Sequence, residues 1–419
     1  MTQHEFLNNK EAILKVLPQH EITVKRLEKL ADKAALPVVT VMGKYNHGKS
    51  RLLNELIGDD LFSVADKRET KALHLAEHKG LCWIDAPGLD ADVQEIDDQH
   101  AEEALWVASD IRLMVHAAKE GELDAAEIDL INTLTQDKQQ TKRQSVFVLT
   151  QIDQVADEET LNKILDSLGK QLGEMKIHPV SSVRHRRGVE QSIPLFIEKS
   201  GIPALEQQLT ETLNKVPDIR LFEKNSYFSQ LSDELAEKHQ QHTASHTHLK
   251  QQADEFERNF INDLKAALEQ GAKDLHEIMQ EPEVDHSLDP GSIDDIFTMT
   301  PGKLDRSRVQ IAYSRACLLI RSVLTKYGMS TLSEDRKVGA ASLNTVMVAV
   351  MGISVKFRAQ LRSLFGEAKG RERLLADFKS YFDKSEDRLK ALAEIEQELT
   401  QIQHVEAAQE VLAQWQEIM

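Results

Sequence analysis

A chain of 419 residues exceeds one ordinary domain and implies two or three. Its 41% hydrophobic content supports packed cores and excludes wholesale disorder, while scarce aromatics and a Leu-, Ala-, Glu-, Gln- and Lys-rich second half are the composition of long helices. A formal charge of −18 excludes a general nucleic-acid binder, whose footprint would be basic.

Cys82 and Cys317 lie far apart and match no disulfide or zinc spacing, which fits a reduced, cytoplasmic compartment. The N-terminus has no basic segment leading into an apolar one, so no signal peptide is expected. Residues 4–36 read as helix, with Ile13, Leu14, Leu17, Leu27, Leu30 and Ala31 at helical spacing and a break or kink at Pro18. Pro37 opens a different texture, the β-branched run Val38-Val39-Thr40-Val41-Met42 of a buried strand.

From there to about residue 215, strands alternate with helices. Strands are expected at Pro37–Met42, Ala72–Ala76, Leu81–Ile84, Ile111–His116, Ser145–Thr150 and Lys176–Val180. Helices are expected at Ser50–Ile57, Glu102–Ala108, Ala125–Thr135, Glu158–Leu172 and Ile202–Leu213. The alternation predicts an α/β domain with a mostly parallel sheet between helices, and all-α structure after Pro217. Helices are expected there over about 219–280, 303–327, 339–366 and 370–417. Leu389, Leu392, Ile395, Leu399, Ile402 and Val405 would be the core stripe of the last. Pro282, Pro290, Gly291 and Pro301 mark a connector before them. The organisation read from the chain is an N-terminal helical segment (1–36) packing on the helical body, an α/β domain (37–215) and a C-terminal helical domain (216–419) with a hairpin over about 303–366.

The segment Gly43-Lys44-Tyr45-Asn46-His47-Gly48-Lys49-Ser50 fits G-x-x-x-x-G-K-[ST] between a strand and a helix. Glycines let backbone N–H groups turn inward around phosphate, Lys49 brings charge to the β- and γ-phosphates, and the Ser50 hydroxyl ligates Mg²⁺. Ile84-Asp85-Ala86-Pro87-Gly88 is a strand ending in D-x-x-G, placing Asp85 in the magnesium shell and the Gly88 N–H at the γ-phosphate. Between the two, Arg68-Glu69-Thr70-Lys71 offers Thr70 as a switch residue closing over the metal, or is an ordinary loop. Thr150-Gln151-Ile152-Asp153 follows a strand, and a carboxylate at Asp153 can accept from guanine N1–H and its exocyclic amine, a pattern adenine lacks. His178-Pro179-Val180-Ser181-Ser182-Val183 brings small polar residues towards the base.

In order and spacing these five motifs resemble the G1–G5 set of the translation-factor-related GTPases. The phrase running from Gly43 to Gly58 is similar to both the TrmE–Era group and the bacterial dynamin-like proteins. The resemblance covers about residues 37–215. It implies GTP/GDP and Mg²⁺ as ligands, held by Gly43, Tyr45, Asn46, His47, Gly48, Lys49, Ser50, Arg51, Asp85, Gly88, Thr150, Gln151, Asp153, Ser181, Ser182 and Val183. Ser50, Thr70 and Asp85 would order the metal, and Lys49, Thr70 and Gly88 would act in hydrolysis. Gln151 stands where the family has lysine, and Leu89 stands where Ras-type enzymes have a water-orienting glutamine. The latter replacement, shared with Era- and dynamin-like families, implies slow basal turnover until a partner or self-association through the G domain completes the site. Asn46 matches the asparagine that in TrmE-like proteins helps hold K⁺, or it braces the loop.

Residues 303–374 carry 14 Lys+Arg against 5 Asp+Glu, and Val338–Val355 within them has no charge. Such a segment suits either the peripheral surface of an anionic membrane, at the inner face, or a buried bundle helix whose arginines pair with acidic neighbours. Helices on both sides of the G domain resemble the dynamin-like arrangement; the alternative is an Era-like switch acting on a protein or ribonucleoprotein without membrane. His239, His242 and His246 share a helical face, either a zinc set lacking a completing carboxylate or a solvated surface.

Overall fold

The computed structural model describes residues 9–62, 74–86, 102–280, 284–289, 298–329, 355 and 357–419. It divides into two compact units, residues 1–238 with 404–419, and residues 239–403.

The first unit opens with α1 (Lys10–Val16) and α2 (Glu21–Ala31), separated by a 3₁₀ turn that starts at Pro18, where the ring forbids a continuous helix. Strand β1 (Val38–Met42) runs into the loop 43–48 and α3 (Lys49–Ile57). An antiparallel hairpin follows, β2 (His74–His78) and β3 (Leu81–Asp85), joined by Lys79 and Gly80, both at positive φ as a tight two-residue turn requires. After a π-helical turn (Glu103–Ala108) come β4 (Ile111–Ala117), α4 (Ala125–Thr141), β5 (Gln144–Thr150), α5 (Glu158–Leu172), β6 (Ile177–Pro179), α6 (Ser182–Glu190), α7 (Pro194–Glu198) and α8 (Ile202–Leu213).

The six strands stand in the order β2-β3-β1-β4-β5-β6, all parallel except β2. β4 is buried along its whole length, as a central strand covered on both faces must be. One face packs Val39, Val41, Leu113 and Val148 against Leu52, Leu53, Ile202 and Leu205; the other packs Met42, Met114, Phe147 and Leu149 against Ile131, Leu134 and Leu168. Parallel strands place their C-terminal ends together, and at that edge the ends of β1, β3, β4, β5 and β6 converge.

Helix α9 (Val216–Asp274) then runs unbroken for 59 residues. Within the first unit its start buries Tyr227, Phe228, Leu231 and Leu235 against Ile13, Leu17, Val24 and Leu27 of the N-terminal helices and Val405, Leu412 and Trp415 from the C-terminal end. The second unit holds α10 (His276–Met279), α11 (Pro301–Lys326), α12 (Arg358–Leu361) and α13 (Ala368–Phe382), with α14 (Glu386–Ile418) continuing into the first. Its core gathers Phe260, Leu264, Tyr313, Ile320, Phe365, Phe378 and Phe382, where Phe260 and Phe382 stack with centroids 4.5 Å apart.

Two expectations for the helical part need correction. The last helix is two helices, broken at Asp383–Ser385, where the Ser385 hydroxyl accepts from Arg388 N at 3.4 Å and starts α14 afresh. Arg388, which donates to the Ala253 carbonyl and Glu257, turns inward, and Leu389, Leu392 and Leu399 of the expected core stripe are exposed. Of Val338–Val355 only Val355 is among the described residues, and it is buried.

Candidate functional site

The loop from Gly43 to Gly48 turns tightly enough to exclude side chains at its ends. Gly43 sits at φ +146° where an added Cβ would meet the Val115 carbonyl oxygen at 2.1 Å, and Gly48 is left-handed at φ +84°. Asn46, at φ +60°, is exposed, and its carbonyl accepts from Gln151 Nε2 at 2.7 Å. The Thr150 hydroxyl reaches the His47 carbonyl at 2.6 Å. Two residues of the T-Q-x-D motif therefore hold the outer curve of the glycine loop.

Lys49, at the first position of α3, folds its ammonium over the loop and donates to the Gly43 and Lys44 carbonyls at 2.9 Å each. The Ser50 hydroxyl donates to Asp85 Oδ2 at 2.5 Å, joining the start of α3 to the end of β3. A hydroxyl and a buried carboxylate in contact at a helix N-terminus are an all-oxygen donor set, which fits a hard dication of the Mg²⁺ kind. Asp153 lies in a 3₁₀ turn after β5 and accepts from the Ser181 hydroxyl at 2.5 Å, while Ser181 caps α6 by accepting from Arg184 N. Gly201 closes behind this corner, where a Cβ would strike the Pro179 carbonyl at 2.0 Å. Ser182 is buried, Val183 and Tyr45 are half-buried, and Arg51 points to solvent. Thr70, Gly88 and Leu89, with the Arg68–Lys71 segment, lie outside the described residues.

Lys49, Ser50, Asp85, Thr150, Gln151, Asp153 and Ser181 thus share one end of the sheet. His47 does not present its ring there. It is buried behind the loop, its Nδ1 is 3.3 Å from the Val115 carbonyl, and its ring stands edge-on to His116 with centroids 5.1 Å apart. His116 in turn contacts Glu127 Oε1 at 2.9 Å, and Lys44 pairs with Asp124 and, at 3.4 Å, with Glu127. Burial, then His116, depresses the His47 pKa. Glu127 is raised by burial but ends below its ordinary value because His116 outweighs it. Sequence reading missed His116 and Glu127, since their spacing matches no motif; a histidine ending the apolar strand Ile111-Arg112-Leu113-Met114-Val115 was the available signal.

In the second unit, His242 Nδ1 contacts Glu398 Oε2 at 2.7 Å, so a carboxylate does reach this histidine face. Among the described residues, however, the group of metal-ligating type is His47, His116 and Glu127, elsewhere.

A family model described as 50S ribosome-binding GTPase matches residues 38–151. An uncharacterised protein of Acinetobacter baylyi is 46% identical over 398 residues, covering 93% of this chain and 93% of its own. GTPase Era of Thermosipho melanesiensis is 28% identical over 171 residues, covering 38% of this chain and 54% of its own, so the similarity spans about half of that relative. A solved structure described as an oligomerised bacterial dynamin pair, with a mechanism for long-range sensing and tethering of membranes, aligns over 99% of this chain and 82% of its own at 14% identity and a TM-score of 0.37.

Proposed function

The chain belongs to the P-loop GTPases, in one family along nearly its whole length with the Acinetobacter baylyi protein, and from that premise we propose how its own residues run a slow, Mg²⁺-dependent GTP cycle. The observation that carries this reading is the meeting of Lys49, the Ser50–Asp85 contact and the Asp153–Ser181 contact at one end of the sheet. Lys49 leaves two backbone carbonyls to neutralise the β- and γ-phosphates. Ser50 and Asp85 hold Mg²⁺, which supplies charge neutralisation at the phosphates when bound. Asp153 accepts from the guanine edge with Ser181 fixing its rotamer, Thr70 would join Ser50 in ordering the metal, and the Gly88 N–H would meet the γ-phosphate. With leucine at position 89, no side chain there orients water, so basal turnover is slow and a second G domain or a partner raises it. Specific GTPase activity should climb with protein concentration; activity that stays flat from nanomolar to micromolar protein would remove self-association from the account.

Gln151 takes a structural part here: its amide holds the Asn46 carbonyl. Gln151→Ala loses one hydrogen bond of about 0.5–1.5 kcal/mol. GDP affinity, measured by titration calorimetry, should fall about 2- to 10-fold.

A membrane-surface role has one specific observation in its favour. Helix α11 buries Val309, Tyr313, Ile320 and Leu324, while Leu304, Ile311 and Leu318 are 43%, 57% and 59% exposed, with Arg308 and Arg315 between them on the same face. Alternating aliphatic and guanidinium groups suit an anionic lipid interface. Arg308 stays exposed although 3.8 Å from Asp305, and other basic residues of this segment are engaged internally: Arg358 with Asp285, Lys326 with Asp263, Arg362 with the Met279 carbonyl. Among the described residues, no helix is long and apolar enough to cross a membrane. Vesicles containing acidic lipid should co-sediment the protein, and Ile311→Asp with Leu318→Asp should abolish this. No sedimentation with or without GTP would favour the Era-like switch acting without membrane.

A further inference from the structure

We propose that His47, His116 and Glu127 form a second metal site, lying behind the P-loop and separate from the nucleotide's magnesium, which takes Zn²⁺. The three come from three elements, the glycine loop, the end of β4 and the first turn of α4. Their side chains are 3%, 1% and 1% exposed. One ligand atom from each lies within 4.8 Å of the other two.

The hydrogen-bond geometry around His116 calls for a cation. Its Nε2 is 3.3 Å from the Gly121 carbonyl, which can only accept, so Nε2 carries the hydrogen. In the neutral ring the Nδ1 lone pair then faces Glu127 Oε1 at 2.9 Å. Two lone pairs that close repel unless a proton or a metal ion lies between them. A shared proton would satisfy His116 and Glu127 alone, but His47 Nδ1 stands 4.0 Å from the same oxygen and adds a third donor once its hydrogen, now shared with the Val115 carbonyl at 3.3 Å, moves to Nε2. Two imidazoles and one carboxylate are a zinc donor set, whereas Mg²⁺ demands oxygen. Ligands about 2.0–2.2 Å from a tetrahedral zinc lie roughly 3.3 Å from each other, so the 2.9 and 4.0 Å separations straddle the requirement. His47 would exchange its long contact to the Val115 carbonyl for the metal.

The surroundings already have the form of an outer shell. The Gly121 carbonyl sets the His116 tautomer, and the Glu127 Oε2 oxygen accepts from Asp124 N at 3.2 Å in the capping box of α4. Lys44 lies 3.4 Å from Glu127 and opposes a dication, but it is paired with Asp124, which compensates its charge. A zinc ion here would tie residue 47 to β4 and α4, and thereby the outer curve of the phosphate loop to the sheet.

The test uses untagged full-length protein, stripped of nucleotide and metal, titrated with Co²⁺ and then Zn²⁺. About one cobalt per chain should bind with the visible bands of a four-coordinate nitrogen–oxygen site, Zn²⁺ should bleach them, and GDP with Mg²⁺ should leave them in place. His47→Val, which keeps an apolar group behind the loop, and His116→Asn should each abolish the bands with the circular dichroism spectrum unchanged. Asp85→Asn should keep them. Absence of bands in the wild-type protein overturns the proposal and leaves a shared proton between His116 and Glu127, a conclusion that needs no variant. Bands that survive His47→Val or vanish in Asp85→Asn would also overturn it.

Discussion

Arg26→Met should lower the unfolding free energy of the first unit by about 3–5 kcal/mol, because it leaves two buried carboxylates without their shared cation. Arg26 is fully enclosed and uses all five of its donors. Nε and Nη2 grip Glu223 at 3.0 and 2.9 Å, Nη2 also meets Asp110 at 2.9 Å, and Nη1 bonds the Val107 and Ala108 carbonyls. Asp110 is bound again by Arg220, and Glu223 by Arg143 at 3.1 Å, which reaches Asp137 at 2.8 Å. Asp110, Asp137 and Arg143, at the sheet's N-terminal edge, are thereby locked to α2 and the start of α9. Methionine matches the volume of the arginine stem, so packing loss is small and the cost is electrostatic. Trp83, Trp106 and Trp415 all belong to the first unit, so tryptophan fluorescence during urea unfolding reports on it directly. A change below about 1 kcal/mol would mean that Asp110 and Glu223 are not held as charged groups by Arg26. The double variant with Glu223→Gln should recover part of the loss.

The same network sets an acid limit. Burial would raise Asp110, but Arg220 and Arg26 hold it below its ordinary 3.8; Asp137 is likewise raised by burial and lowered overall by Arg112 and Arg143. Groups with depressed folded pKa values contribute fully above their unfolded pKa, and that contribution is lost as pH falls through the folded one. Stability of the first unit should therefore be level near neutrality and decline below about pH 4. Burial and then Arg143 push Arg112 down to about 10, still charged at neutral pH, where it pairs with Asp137 at 2.5 Å and lies 5.0 Å from the centre of the Trp106 ring.

The sheet was readable from sequence because β-branched runs such as Val38–Met42 and Val146–Leu149 report burial on both faces, a property local to each strand. The nucleotide end was readable because phosphate chemistry fixes residue types at short spacing. The Arg26–Glu223 pair, 197 residues apart, was not, since pairing across such a distance depends on how elements dock. The same holds for His116 and Glu127, where histidine in an apolar strand gives no hint of its partner. Helix α6 was missed for another reason: Ser182–Glu190 is polar along most of its length, and its start depends on Ser181 as a cap. The leucines of α14 show the converse error: Ile402 and Val405 of the stripe are buried, but at Leu389, Leu392 and Leu399 the inward face is taken by Arg388 on Ala253 and Glu257, which apolar spacing does not reveal.

Lys49→Ala should reduce GTP turnover by about 10²–10³-fold, with unfolding of the first unit little changed. The ammonium sits at the mouth of the loop on the Gly43 and Lys44 carbonyls, 2.9 Å from each, so it is positioned before any ligand arrives and loses little freedom on binding. In the proposed cycle its charge would face the place where negative charge accumulates as the γ-phosphoryl group departs, and alanine supplies no substitute. The fold should tolerate the change because Lys49 is only half-buried and the turn is set elsewhere, by Gly43, by the Thr150 hydroxyl on the His47 carbonyl and by Gln151 on Asn46. Single-turnover measurement separates the two roles of the side chain: a loss in the chemical step at saturating GTP identifies transition-state charge, and a loss recovered by high GTP identifies ground-state binding. Turnover within threefold of wild type at saturation would place catalysis outside this loop.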